Sequence, residues 1–157
     1  MILYHGTSTA FSKINLSCSK DKRDFGKGFY TTTIYEQAEK WAKNQFIRYG
    51  GDGSFVKFFE YEPKKDLKIL EFKSMNKEWL EFVKENRIKG GVVHNYDIVR
   101  GSVANDNTMR TIALYISGIY TTEQAIQQLS FFKVNDQISF HTKEALSCLK
   151  WKEDREV

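Results

Sequence analysis

The sequence of 157 residues holds one proline, two cysteines and three histidines, and no long apolar run. Each scarcity excludes a class of protein. Cys18 and Cys148 are too few for a disulfide framework and match no metal-ligand spacing, so both read as reduced thiols and no metal is expected. No stretch approaches the roughly 18 apolar residues of a membrane-spanning helix. The N-terminus lacks the basic flank, apolar run and small-residue cleavage site of a signal peptide. A soluble, cytoplasmic chain with no membrane partner is expected. The 24 basic and 20 acidic residues leave a formal net charge of +4. These charges are interspersed rather than blocked, which permits a nucleic-acid partner without demanding one. No repeat, linker or low-complexity segment divides the chain.

Aromatic and apolar residues are what the chain has in quantity. At 41% hydrophobic and 15% aromatic, it can fill one core and not two, so residues 1–157 are expected to form a single domain. Ile2 to Tyr4 predicts a short strand with His5 at its tip, followed by a polar loop over 16–28 and a second strand over Phe29 to Thr32. Thr33 and Glu36 have capping-box spacing. Ala38, Trp41, Ala42, Phe46 and Tyr49 then recur at helical intervals up to Gly50 and Gly51, which places Trp41 on the buried face. Phe55 to Tyr61 and Leu67 to Phe72 predict two paired strands around Pro63. A helix is expected at Trp79, Phe82 and Val83, ending near Gly90, then a strand over Asp97 to Val103 and a helix over Thr108 to Ile116. Thr121 and Gln124 repeat the capping-box spacing, Gln137 to Phe140 reads as a strand, and Ala145, Leu146 and Leu149 as a terminal helix.

Strands and helices mix without strict alternation, so the fold class is α+β rather than a doubly wound parallel sheet. Gly26 and Gly28 do not make a Rossmann fingerprint: the third glycine is missing, and the loop precedes a strand rather than a helix. The spacing is also wrong for a Walker phosphate loop.

Chemistry concentrates in the first forty residues. Tyr4-His5-Gly6-Thr7 is followed by Gly26-Lys27-Gly28-Phe29-Tyr30-Thr31-Thr32, and Trp41 stands eleven positions after Tyr30. Cleaving a nicotinamide–ribose bond requires a flat aromatic clamp, a hydrogen bond to the ribose hydroxyls and a polar group near the forming sugar cation. Tyr30 and Trp41 suit the clamp, His5 suits the ribose, Gly6 lets an amide approach the backbone, Thr7 adds a hydroxyl, and Gly28 helps hinge the loop. Taken singly, His5 reads as a structural histidine and each aromatic as core. Lys13, Lys20, Lys22, Arg23 and Lys27 form the densest basic stretch, which suits a pyrophosphate, an anionic acceptor or a solvated loop. Asp136 reads as a turn residue or as a group that positions an acceptor. Asp97, Arg100, Asn105 and Asp106 read as a turn and helix cap. His141 with Thr142 reads as a cap for the last helix, and His94 as loop.

These motifs resemble the ADP-ribosyltransferase superfamily, in the branch shared by diphtheria toxin and the poly(ADP-ribose) polymerases. Adding Gln37-Ala38, Trp41-Ala42 and Asp136-Gln137-Ile138-Ser139-Phe140-His141-Thr142, the chain is most similar to a small bacterial family of uncharacterised domains in the His-Tyr-Glu/Asp/Gln branch. The resemblance spans nearly the whole sequence. It implies a split β-sheet core with flanking helices, NAD as co-substrate and Gln137 as the third catalytic residue beside His5 and Tyr30. Gly6, Thr7, Gly28, Tyr30 and Trp41 would form the NAD pocket. Trp41 stands where the family usually has tyrosine, and Ala38 where the polymerases have a serine that contacts the nicotinamide amide. The glutamate linked to chain elongation is absent, which implies single transfer or NAD hydrolysis. The implied activity is mono-ADP-ribosyl transfer to a nucleic acid or protein, by a toxin of a toxin–antitoxin or phage-defence system with an antitoxin partner. Two other readings stay open: an NAD or ADP-ribose binding module without turnover, since glutamine is no base near neutral pH, and a nucleic-acid hydrolase using His5 or His141.

Overall fold

The computed structural model describes residues 1–104, 106–132 and 135–157, so the expected role of Asn105 lies outside the described residues. In chain order the elements are β1 (Ile2–Thr7), β2 (Phe29–Thr31), α1 (Tyr35–Tyr49), β3 (Phe55–Tyr61), β4 (Ile69–Glu71), α2 (Lys77–Lys89) and β5 (Ile98–Ser102). Then come α3 (Asp106–Ile116), α4 (Thr122–Leu129), β6 (Asp136–Phe140), α5 (Lys143–Leu146) and β7 (Leu149–Glu156). The architecture is α+β with two sheets. One is antiparallel, in the order β1-β3-β7; the other runs β2-β6-β5-β4 and is antiparallel except for the parallel β4–β5 pair.

Alternation along the second sheet sends residues to two cores. Phe29, Ile98, Ile138 and Phe140 join Leu3 and Phe59 between the sheets. Val99 faces the opposite way, into a core with Phe25, Trp79, Leu80, Val83, Ile112, Ala125 and Leu129 under α2, α3 and α4. Both faces of β5 and β6 are covered, so polar residues such as Ser102, Gln137 and Ser139 are buried along with the apolar ones.

Among the described residues, one backbone bridge joins the two sheets. Tyr4 N donates to Thr32 O at 2.8 Å and Thr32 N to Tyr4 O at 2.9 Å. Toward Gly6 on one strand and Tyr30 on the other, no further ladder joins β1 to β2 among the described residues, and a wedge opens between them. Helix α1 packs on β1 so closely that a Cβ on Gly6 would come within 2.1 Å of the Ala38 carbonyl oxygen. Only small side chains fit at that contact, and Ala38 and Ala42 are the buried residues of α1.

Several expectations are corrected by this packing. Trp41 is 43% exposed, and Phe46 and Tyr49 face solvent, because the close contact admits alanine and turns the aromatics outward. The capping box at Thr33 does not form: Ile34 is the N-cap, and Thr33 gives its N–H and hydroxyl to the Asp136 carboxylate at 3.0 and 2.6 Å. His5 lies within β1 rather than at its tip. The two runs around Pro63 do not pair. β3 joins the first sheet and β4 pairs in parallel with β5, α2 supplying the crossover that a parallel pair requires. Leu149 opens a strand instead of ending a helix, and α5 is four residues long. Elsewhere expectation and structure agree: Thr121 and Gln124 form a capping box, and α1 and α2 end at Gly50 and Gly90 with φ of 72° and 71°. Cys18 is exposed, Cys148 buried, and both are free thiols. Among the described residues no helix is long and apolar enough to cross a membrane.

Strand β7 is an edge strand whose residues from Lys150 to Glu156 are exposed. A buried cation anchors it: Lys57, 2% exposed, donates to Asp154 Oδ2 and to the Phe11 carbonyl, each at 2.6 Å, and lies over the Phe11 ring. Asp154 is 40% exposed and can rehydrate, whereas the stem of Lys57 and the Phe11 carbonyl cannot. Asp154→Asn leaves the Lys57 ammonium buried without its counter-ion and is expected to cost about 3 kcal/mol or more, whereas Lys57→Ala leaves a carboxylate that rehydrates and is expected to cost about 2 kcal/mol. Urea unfolding of the two variants checks the order; a loss below about 1 kcal/mol in Asp154→Asn would show that the ammonium reaches water without its partner.

Candidate functional site

The site is built outward from Asp24, a carboxylate only 4% exposed in the loop before β2. Its Oδ1 accepts from both Arg87 Nε, at 2.8 Å, and the Arg87 Nη2 group of α2; its Oδ2 accepts from Ala104 N at 2.8 Å and Gln137 Nε2 at 3.0 Å. The anchored loop then orients Tyr30. Phe25 N donates to the Tyr30 hydroxyl oxygen at 3.0 Å, and that hydroxyl donates to Gly26 O at 2.5 Å, with Gly26 at φ +90°. Burial first, and then the negative charge of Asp24, push the Tyr30 phenol above its ordinary range, so it stays protonated.

The other end of the loop is held by two imidazoles. His94 Nε2 donates to Phe25 O at 2.8 Å and His141 Nδ1 to Lys27 O at 2.8 Å, the rings standing edge to face at 4.6 Å. Since a carbonyl only accepts, the tautomers follow: His94 Nδ1 accepts from Tyr96 N, and His141 Nε2 accepts from the Ser139 hydroxyl. Gly28 lies against this pair, where a Cβ would come within 2.7 Å of His141 Nδ1. His141 thus fastens the loop, while Thr142 alone caps α5.

His5 comes to the edge of β2. Its Nδ1 donates to the Tyr30 carbonyl at 2.6 Å, and its ring stacks on Phe29 at 4.2 Å with the edge of Phe11 beyond. The lone pair is therefore on Nε2. Burial, with the charges of Arg23 and Lys57, lowers its pKa from 6.5 to about 4 against the opposing pull of the Tyr30 bond. Gly6 follows. Tyr4 turns its N–H and C=O toward β2, so by strand alternation Gly6 turns its own the same way, into the wedge. The Thr7 hydroxyl is engaged locally with Thr9.

Trp41 reaches the site from α1 through Arg23. The Arg23 guanidinium lies over the Tyr30 ring at 5.0 Å and over the Trp41 ring at 5.1 Å. The two aromatics thus share one flat cation. Two open cavities lie elsewhere: one of about 310 Å³ lined by Phe72, Lys73, Arg100 and Asp136, and one of about 450 Å³ along α1.

Gln137 is 5% exposed, on the face of β6 that carries Ser139 and, across the ladder, Tyr30. Its amide nitrogen donates to Asp24 and to the Ser102 carbonyl at 3.1 Å, and it does not meet His5. Asp136 is a strand residue rather than a turn, its carboxylate taken by Thr32 and Thr33. Asp97 sits in the bend before β5 but caps no helix: its carboxylate accepts from the Thr142 hydroxyl and from Lys68 N. Arg100 lines the smaller cavity. The roles of Asp24, Arg87 and His94 escaped the sequence reading, in which Asp24 only opened the loop motif and His94 read as loop, because the bonds that tie them to the site span 63 to 113 residues and follow no spacing rule. Arg23 was visible only as one of five basic residues. Among the described residues no group of three or more His, Cys, Asp or Glu is placed to hold a metal ion.

Fold and site together define an α+β protein whose two sheets diverge beside a paired-aromatic, cation-holding site. The chain belongs to the family described as Protein of unknown function (DUF3990), whose model matches residues 1–151 and so covers every residue of this site. No curated protein and no solved structure gives a significant match.

His141, like His5, is held neutral: burial lowers its pKa from 6.5 to about 4, aided by His94 and opposed by the Lys27 bond. The unfolded chain takes up these protons near pH 6.5 while the folded chain does not. The stability contributed is therefore complete above pH 6.5 and is lost as pH falls toward 4, by at most about 1.4 kcal/mol per pH unit for each imidazole. Urea midpoints at pH 7, 5.5 and 4.5 should fall in that order, with a shallower slope in His141→Asn. Midpoints independent of pH would mean that both rings accept protons within the fold.

Proposed function

We propose that this protein is an NAD-dependent mono-ADP-ribosyltransferase with an ADP-ribosyltransferase-like split-sheet core. The observation that carries the reading is the flat Arg23 cation shared by the faces of Tyr30 and Trp41, beside the unpaired edge of β1 at Gly6. The nicotinamide ring of NAD is also a flat cation, and its carboxamide needs one donor and one acceptor side by side, as a strand edge offers. His5 adds an acceptor, Nε2, and stays neutral at physiological pH.

In the reaction, the bond from ribose C1′ to the pyridine nitrogen breaks, the electron pair passes to nitrogen and neutral nicotinamide leaves. An acceptor nucleophile forms the new bond to C1′ and loses its proton to solvent. Tyr30 and Trp41 hold the ring, Gly6 the carboxamide and His5 a ribose hydroxyl, while Gln137 orients the sugar from the Asp24 side; no metal takes part. Acceptors of either class, nucleic acid or protein, suit the mild positive charge. A role as a cytoplasmic toxin held by an antitoxin fits the resemblance. The second reading, a binding module without turnover, is favoured by the two hydrogen bonds that already engage the Gln137 amide nitrogen.

Incubation with labelled NAD and a cell lysate separates the readings: label entering protein or nucleic acid supports transfer, nicotinamide release alone supports hydrolysis, and binding without either supports the module. Trp41→Ala is expected to weaken NAD binding by about 2- to 12-fold, the scale of aromatic stacking, with little loss of stability because its side chain is largely outside the core. Tyr30→Ala should weaken binding similarly and also unfold at lower urea, since it strips the loop of two hydrogen bonds. Calorimetry showing unchanged affinity in both folded variants would sink the clamp.

A further inference from the structure

We propose that Arg23 is the resident occupant of the Tyr30–Trp41 clamp, and that it makes the site select a flat cationic ring joined to phosphates over the same ring alone. The proposal rests on the NAD reading of the site and adds a gate and a specificity element to it. Arg23 has no carboxylate partner among the described residues, although Asp24 is its chain neighbour. Asp24 is committed to Arg87, Ala104 N and Gln137. What holds the Arg23 guanidinium is therefore the pair of aromatic faces, an interaction of electrostatic origin that favours any flat cation.

Two flat cations cannot share one clamp, since they would compete for the same faces and repel each other. A bare pyridinium ring must eject the guanidinium and leave it with no partner in a loop that also carries Lys20, Lys22 and Lys27. A dinucleotide brings two phosphates with its ring. The ejected guanidinium then gains the bidentate anion contact for which its shape is suited. Ejection needs only side-chain rotation, because the backbone is pinned by Gly26 N on Arg23 O at 3.1 Å and by the buried Asp24. Arg23 thus penalises the bare ring and compensates the dinucleotide.

The experiment titrates the N-methylnicotinamide cation and NAD, separately, into wild type, Arg23→Ala and Arg23→Gln by calorimetry. Both variants are expected to bind the bare ring about fivefold or more tighter than wild type, the scale of losing a competitor held by two rings. NAD affinity should stay level or fall, so the preference for NAD over the bare ring drops about tenfold or more. Bare-ring affinity equal to or below wild type, or an unchanged preference, overturns the proposal while leaving the NAD reading intact. Occupancy is read without any ligand by acrylamide quenching of Trp41, isolated by difference from Trp41→Phe. Quenching should rise in both Arg23 variants, and unchanged quenching overturns the proposal whatever NAD does. Absence of binding by either ligand to all three proteins overturns the NAD reading and, with it, the selectivity assigned to Arg23.

Discussion

A carboxylate removed from water must be surrounded by donors or it destabilises the fold by several kcal/mol, and Asp24 imposes that constraint on most of this molecule. Its donors come from α2, from the segment after β5 and from β6, elements that the chain supplies 63 to 113 residues later. Meeting the demand of one side chain closes the helical layer onto the second sheet and places the loop in front of β2. Everything that the candidate site uses from that loop follows. Phe25 enters the core, its N–H meets the Tyr30 hydroxyl, and Arg23 is left facing the other way with its charge unpaired.

The second constraint is the divergence of β1 from β2. Had the ladder continued past the Tyr4–Thr32 bridge, Gly6 would have paired with Tyr30 and no backbone group would face the wedge. Two neighbours prevent it. Helix α1 approaches β1 at Gly6 to a distance that no side chain allows, and the His5 ring takes the Tyr30 carbonyl that a continued ladder would have used. A strand edge inside a fold is otherwise a liability, because unpaired N–H and C=O groups attract other chains. Here it is enclosed by α1 on one side and by the aromatic loop on the other. That enclosure suits a small ligand better than a second strand.

The parts of the fold and site legible in the sequence are those written locally. His5-Gly6, the Gly26–Tyr30 loop, α2 and the capping box of α4 follow from spacing and from caps that act over three or four residues. Trp41 shows the limit of periodicity. Its place in the helical repeat is right, but the face that α1 buries was decided by Gly6, thirty-two residues away, which admits only alanine. Strand β7 carried no apolar alternation because both of its faces meet solvent, and its anchor, Lys57, is a charged residue that no burial rule would place inside. The Thr33 capping box failed for a related reason: Asp136, 103 residues on, offered that threonine a charged acceptor, stronger than the neutral local bond. In each case a contact distant in sequence, steric at Gly6 and polar at Lys57 and Asp136, outweighed a local preference.

The same reasoning explains why a glutamine stands at position 137. Its amide nitrogen is 3.0 Å from Asp24 Oδ2 in a setting closed to water. A glutamate would face that carboxylate at hydrogen-bond distance, and Arg87 supplies only one positive charge for the pair. An amide donates where an acid would repel, so glutamine is the residue type that this network accepts. A catalytic acid at 137 would need Asp24 replaced or a second cation beside it, and the described residues supply neither. Under the proposed transferase reading, ribosyl transfer then depends on clamping the ring and holding the sugar rather than on a base. The acceptor must bring a nucleophile that is reactive without deprotonation by this chain, such as a ring nitrogen, an amine or a thiolate. Water and plain hydroxyls would be poor acceptors at such a site, which sets transfer ahead of hydrolysis.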